Sequence, residues 1–183
     1  ALGGFSNYDA SIGHYDSLAI EIVLIVFMLI SALNFSRHLV AWQQKSLRTY
    51  VTDSEAIAML WLMAVSTLLV ALYVWAENVY PEFPLALRHV AFNLVAVATT
   101  CGYMTQDFAQ WPIFAPLAML MLSCYACNTG STGGGIKMFR TLVLFRQAGR
   151  ELMMLVHPQA VRPVRIGGQV VKNQIVFAVL AFV

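Results

Sequence analysis

The residues with the clearest chemical potential are Thr99, Thr100, Cys101, Gly102 and Tyr103, which follow a short apolar segment and precede a polar loop. A peptide that dips into a membrane and turns back leaves carbonyls without partners, which is tolerated only where they line a polar cavity. Carbonyls in such a cavity are ligands of the kind potassium takes. Gly102 allows positive φ, so successive carbonyls can face one axis, while Tyr103 can anchor the strand against neighbouring helices. A helix before this segment would aim the negative end of its dipole at the cavity and favour a cation there. An ordinary helix end with a glycine cap fits the same residues equally well.

The second candidate is Asn128, Thr129, Gly130, Ser131, Thr132, Gly133, Gly134 and Gly135, with four glycines and no apolar side chain in eight residues. A phosphate cradle of the Walker type needs Gly-Lys-Ser/Thr, whereas here Lys137 lies between Ile136 and Met138. A hinge or plug lining a pore suits small residues whose backbone groups need water or protein nearby. A plain cytoplasmic loop joining two helices is the simpler alternative.

The remaining polar residues have blander expectations. Cys124 and Cys127 have CxxC spacing without a second ligand pair, which favours packing. His14, His38, His89 and His157 are dispersed and assemble no catalytic set. Glu21 is expected at the outer interface of its span. Arg140, Arg146 and Arg150 suit a solvated face near lipid headgroups, with a docking surface as the alternative.

Positioning these residues falls to membrane helices. The chain has 183 residues, 60% hydrophobic and 11% charged, against about 25% charged in a soluble domain. Its mean hydropathy is +0.71. That composition disfavours soluble enzymes, nucleic-acid binders and disordered regulators, and a net charge of +2 does not call for a polyanionic partner. Residues 56–76 form the cleanest span, about 31 Å of helix. Residues 18–33 are marginal for one crossing, and residues 85–98, about 21 Å long, suit a re-entrant helix. Residues 111–127 are apolar, with Pro112 and Pro116 in the first turns. One straight helix over 111–150 would be about 60 Å long, so the glycine run must break it at membrane depth. With no initiator Met and an apolar run at its end, the chain is expected to be an internal piece of a longer membrane protein.

Charge sets the topology. Segments 1–17 and 77–110 carry Asp9, Asp16, Glu77, Glu82 and Asp107 against the single base Arg88. Segment 34–55 carries Arg37, Lys45 and Arg48, and segment 136–172 carries seven Lys or Arg. The positive-inside rule places the latter two in the cytoplasm and the former two outside. An internal repeat supports this order: Gly4-Phe5 and Gly102-Tyr103, 98 residues apart, each precede a polar stretch, a span and a basic segment.

Together these motifs resemble the Trk/Ktr superfamily of potassium uptake proteins, in particular its TrkH branch. Leu2, Gly3, Gly4 and Phe5, running on through Ser6 and Asp9 to Ser17, resemble the second selectivity filter and its outer loop. Thr99 to Tyr103 resemble the third filter, and Gly130 to Lys137 resemble the intramembrane loop that gates below it. Arg150-Glu151-Leu152 and Val156-His157-Pro158 resemble the cytoplasmic segment that follows.

The resemblance implies an all-α membrane protein and a fragment of a four-repeat, potassium-channel-like fold of helix, pore loop and helix. Residues 1–55 would end repeat two, residues 56–165 would form repeat three, and residues 166–183 would begin repeat four. It further implies potassium bound at Gly3, Gly4, Thr100, Cys101 and Gly102. The implied setting is a homodimer in the bacterial inner membrane, in contact with lipid and partnered by a cytosolic nucleotide-binding ring of the TrkA type. No cofactor other than potassium as substrate, no nucleic acid and no enzymatic activity are expected. The alternative is a membrane-embedded enzyme or sensor that uses the glycine run as a ligand site.

Overall fold

The computed structural model describes residues 3–157, 163–166 and 169–182. Leu2 of the expected filter and Pro158 of the expected cytoplasmic segment lie outside them. After a short 3-10 turn, Ser11–Tyr15, come α1 (Leu18–Ala32), α2 (Phe35–Gln44), α3 (Arg48–Val51) and α4 (Ser54–Ala76). They are followed by α5 (Phe83–Ala98), a 3-10 turn at Phe108–Gln110, α6 (Phe114–Tyr125), α7 (Met138–Val156) and α8 (Asn173–Phe182). Between α7 and α8, β1 (Arg165–Ile166) pairs antiparallel with β2 (Gln169–Val170). These two-residue strands are a small addition to the expected all-α architecture.

The long span forms as its composition dictates. Asp53 caps α4 by accepting the Glu55 amide at 3.2 Å. The helix ends where Asn78 turns left-handed and the amides of Asn78 and Val79 return to Trp75 and Val74. Only 28% of its most apolar stretch is buried, so its Leu68 and Leu69 face outward as a membrane span requires. In contrast, α1 stops at Ala32 and the chain bends by 98° into α2. Asn34 makes that restart possible, its Oδ1 accepting the Ser36 amide at 2.9 Å.

Helix α5 is the centre of the molecule, packed against α1, α4 and α6. Val90, Phe92, Asn93, Leu94 and Ala96 along it are fully buried. Around it, Met63, Val70 and Val74 of α4 meet Ala115, Met119 and Leu122 of α6, and Met28 of α1 meets Phe92 and Val95. Alanines 71, 98 and 115, each fully buried, let the helix backbones approach closely. A helix too short to span, yet enclosed by its neighbours, is what a re-entrant segment requires.

Helix α6 is shorter than its apolar run: it begins at Phe114, so Pro112 lies before the helix and Pro116 alone occupies its first turn. The break across the glycine run is real, with α6 ending at Tyr125 and α7 starting at Met138. Helix α7 runs from Met138 to Val156: its first half packs Val143 with Val164, Val176 and Val179, while Leu152, Leu155 and Val156 further along are exposed.

Candidate functional site

The end of α5 builds the first part of the site. Thr99 closes the helix, its hydroxyl donating to the Val95 carbonyl at 2.7 Å. Thr100 then turns left-handed at φ 58°, and the amides of Thr100 and Cys101 return to Val97 and Ala96 at 3.0 and 2.8 Å. This is a Schellman end whose usual glycine is replaced by a β-branched residue, at a cost of about 1 kcal/mol or more. Left-handed residues other than glycine persist where the surroundings hold them, often at functional sites. The Gly102 amide also reaches Ala96, at 3.2 Å. With these donors turned inward, the carbonyls of Thr99, Thr100 and Gly102 accept no hydrogen bond among the described residues.

Against this segment lies the chain's beginning. Gly3, Gly4 and Gly102 have φ of 101°, 64° and 81°. A Cβ on Gly102 would sit 3.1 Å from both N and Cα of Gly4, and one on Gly4 would collide with the Gly102 carbonyl. The Gly4 amide donates to the Cys101 carbonyl at 2.7 Å, which occupies one of that oxygen's two lone pairs. The two glycine-aromatic pairs, distant in sequence, thus meet backbone to backbone. Their aromatic rings differ: Tyr103 packs beside Phe92 and Cys101, whereas Phe5 is 89% exposed.

Above this contact, the outer segments are stapled together. Ile12 and Gly13 donate to the Met104 carbonyl at 3.1 and 3.2 Å. From α5, the Asn93 carboxamide accepts the Thr105 amide at 3.0 Å and donates to the Gln106 carbonyl at 3.3 Å. His89 meets the Thr105 hydroxyl at 3.2 Å. Arg88 holds both oxygens of Glu21 at 2.7 and 2.9 Å and Asp16 at 2.8 Å. Glu21 sits in the first turn of α1, where it is 2% exposed and paired with Arg88.

The glycine run lies on the other side of Thr100. The Gly134 amide donates to the Thr100 hydroxyl at 3.1 Å, and the Cys127 thiol to the Ala98 carbonyl at 3.5 Å. Thr132 reaches the Ser31 carbonyl through its hydroxyl at 3.2 Å, the Asn128 amide reaches the Ala32 carbonyl at 3.1 Å, and Phe35 donates to Gly130 at 3.1 Å. The run therefore rests on the α1–α2 bend. Lys137 curls back over it, its Nζ donating to the Gly133 and Ser131 carbonyls at 2.6 and 3.2 Å. Glu55 of α4 accepts from the Thr129 amide at one end of the run and from the Phe139 amide, 3.1 Å away in the first turn of α7, at the other. The Asn128 side chain, fully buried, has no hydrogen-bond partner among the described residues.

The candidate residues thus form two contacts on one short segment: Gly4 meets Cys101 and Gly102, and Gly134 of the glycine run meets Thr100. Glu55, Arg88, His89 and Asn93 position them and were not assigned this role from sequence. A charge or carboxamide inside an apolar run is the signal that could have found Glu21, Arg88 and Asn93, because such residues are costly in a membrane unless paired. No group of three or more His, Cys, Asp or Glu able to hold a metal occurs among the described residues.

A helix long and apolar enough to cross a membrane, packed with other apolar helices around a short central helix whose end presents free carbonyls, defines an all-α membrane protein of the helix, pore-loop, helix class. Residues 1–183 match the family model TrkH, described as a cation transport protein, and the chain belongs to that family. It is 41% identical over 182 residues to the Trk system potassium uptake protein TrkH of Halomonas elongata, and 37% identical to that of Escherichia coli. Each alignment covers 100% of this chain and 38% of the relative. The crystal structure of the potassium transporter TrkH from Vibrio parahaemolyticus superposes with a TM-score of 0.93 at 38% identity, covering 98% of this chain and 39% of that one. The chain therefore spans under two fifths of the length of these relatives.

Proposed function

We propose that this chain supplies two filter segments and a gating loop to a longer protein that takes up potassium. The observation carrying this reading is the meeting of Gly4 and Gly102, where positive φ and the absence of Cβ atoms bring two backbone segments together beside unpartnered carbonyls. Such oxygens can replace the hydration water of potassium as it enters. The filter set is Gly3, Gly4 and Phe5 with Thr99 to Tyr103, together with Leu2. The relatives' names supply the ion.

On this reading the Asn128 to Gly135 run is the gate. Its link to the Thr100 hydroxyl supports that role, because a movement of the run must break a hydrogen bond at the base of the filter. Lys137 supports the closed arrangement through its two carbonyl contacts. The parent acts without enzymatic chemistry, as a homodimer in the bacterial inner membrane opened by a cytosolic nucleotide-binding ring; the family resemblance supports these parts of the reading.

The test is growth of a potassium-uptake-deficient bacterium on limiting potassium with the full-length parent. Growth that requires the parent and accompanies rubidium uptake is expected. A parent inserted in the membrane that supports neither would favour the sensor or enzyme alternative.

A further inference from the structure

We propose that α2 and the segment after it form a binding site for an anionic phospholipid of the cytoplasmic leaflet. The proposal needs α1 to cross the bilayer with its Ala32 end in the cytoplasm, and needs nothing of the filter or the gate. Because α2 leaves α1 at 98°, a crossing α1 lays α2 close to the membrane plane. That angle is held by His38. Its Nε2 lies 3.0 Å from the Ile30 carbonyl, which can only accept, and its Nδ1 lies 2.7 Å from the Tyr50 hydroxyl. The imidazole thereby ties the end of α1 and α3 to α2.

The face α2 presents is that of an interfacial helix. Phe35, Leu39 and Trp42, at helical spacing, are 51%, 60% and 84% exposed. Beside Trp42 a cavity of about 490 Å³ opens between α2 and α3, walled by Ala41, Trp42, Leu47 and Tyr50, with His38, Lys45 and Ser46 as its other lining residues. An acyl chain suits the apolar wall and a phosphate suits Lys45.

Charge selects an anionic headgroup. Lys45 and Arg48 are exposed and have no ion-pair partner among the described residues. The nearby acids are already engaged: Asp53 pairs with Arg37 at 3.3 Å and caps α4, and Glu55 holds the glycine run. A soluble anion would answer the two cations but leave the apolar stripe bare. A zwitterionic lipid would cover the stripe but leave the cations uncompensated. One phosphatidylglycerol-like molecule meets both needs.

The experiment uses the full-length parent. A benzophenone amino acid replaces Trp42, the protein is irradiated in bacterial membranes, and the adduct is identified by mass spectrometry. In parallel, delipidated protein is titrated with phosphatidylglycerol or phosphatidylcholine of matched chains and bound lipid is counted. A phospholipid adduct at position 42 is expected, together with phosphatidylglycerol binding that weakens about fivefold for each of Lys45→Gln and Arg48→Gln. Trp42→Ala should weaken binding with the charges intact. An adduct to a peptide of the parent or of a second copy would overturn the proposal, as would equal affinity for the two lipids or indifference to the substitutions.

Discussion

Arg88 on the short central helix holds both carboxylate oxygens of Glu21 on the neighbouring helix α1, at 2.7 and 2.9 Å, although 67 residues separate them. Glu21 follows one glycine-aromatic segment and Arg88 precedes the other. The pair therefore fixes the two segments relative to each other from behind.

Removing one member of a buried pair strands the other charge, at a cost of about 3 kcal/mol or more. Arg88→Met in the full-length parent is predicted to lower thermal stability and to reduce discrimination between potassium and sodium. The double variant Glu21→Leu with Arg88→Met should recover much of the stability. Asp16→Asn should be mild, since the Asp16 side chain is 82% exposed. Thermal unfolding of the four proteins checks the order; a double variant no better than Arg88→Met would show that the pair is not what the site depends on.

Glu55 satisfies one amide on each side of the glycine run. Glu55→Ala leaves both without an acceptor, each at a cost of about 1–3 kcal/mol. The variant is predicted to leak potassium in the absence of the cytosolic partner, and Glu55→Gln, which keeps an acceptor oxygen, should leak less. Rubidium flux into vesicles without the partner measures this.

The glycines of the run are not equivalent. A Cβ on Gly134 meets only the Thr100 methyl, at 3.8 Å, whereas one on Gly133 overlaps the Cys127 sulfur and one on Gly135, at φ 83°, strikes the Cys124 carbonyl. Gly134→Ala should fold and express normally. Gly133→Ala and Gly135→Ala should lose folded protein, as measured by size-exclusion profiles of the tagged parent.

Much of this was legible from residue types. The span at Ser54–Ala76, the short central helix and the break at the glycine run follow from hydropathy and length, which the bilayer makes strict. The 98° angle after Ala32 was not legible: the apolar run ends at Leu33, but the direction of α2 depends on the Asn34 cap and on the contacts of His38 with Ile30 and Tyr50. Nor were the roles of Glu55 and Arg88, since a sequence shows that a charge needs a partner without showing which one. The left-handed end of the central helix falls on Thr100 and not on Gly102, against the ordinary preference for glycine at such an end; tertiary contacts to Gly134 accompany that exception.

The charge asymmetry predicts that residues 7–16 and 104–110 face outward and that residues 37–48 and 146–165 face the cytoplasm. Single cysteines at Asn7 and Gln43, both exposed, in a cysteine-free parent should show it. An impermeant maleimide applied to intact cells should label position 7 and spare position 43. The opposite pattern would invert the topology.

The central claim, that backbone carbonyls at the Gly4–Gly102 contact select the ion, is tested most directly by potassium and sodium flux through the full-length parent carrying Gly102→Ser or Cys101→Ala. A side chain at φ 81° costs about 1 kcal/mol or more and has Gly4 within 3.1 Å, so Gly102→Ser should lower potassium-over-sodium selectivity about fivefold or more while the protein still inserts. The Cys101 thiol is buried among Phe92, Val95 and Tyr103 while its carbonyl faces Gly4, so Cys101→Ala should stay near wild type. Wild-type selectivity in Gly102→Ser, or its loss in a normally expressed Cys101→Ala, would contradict the account.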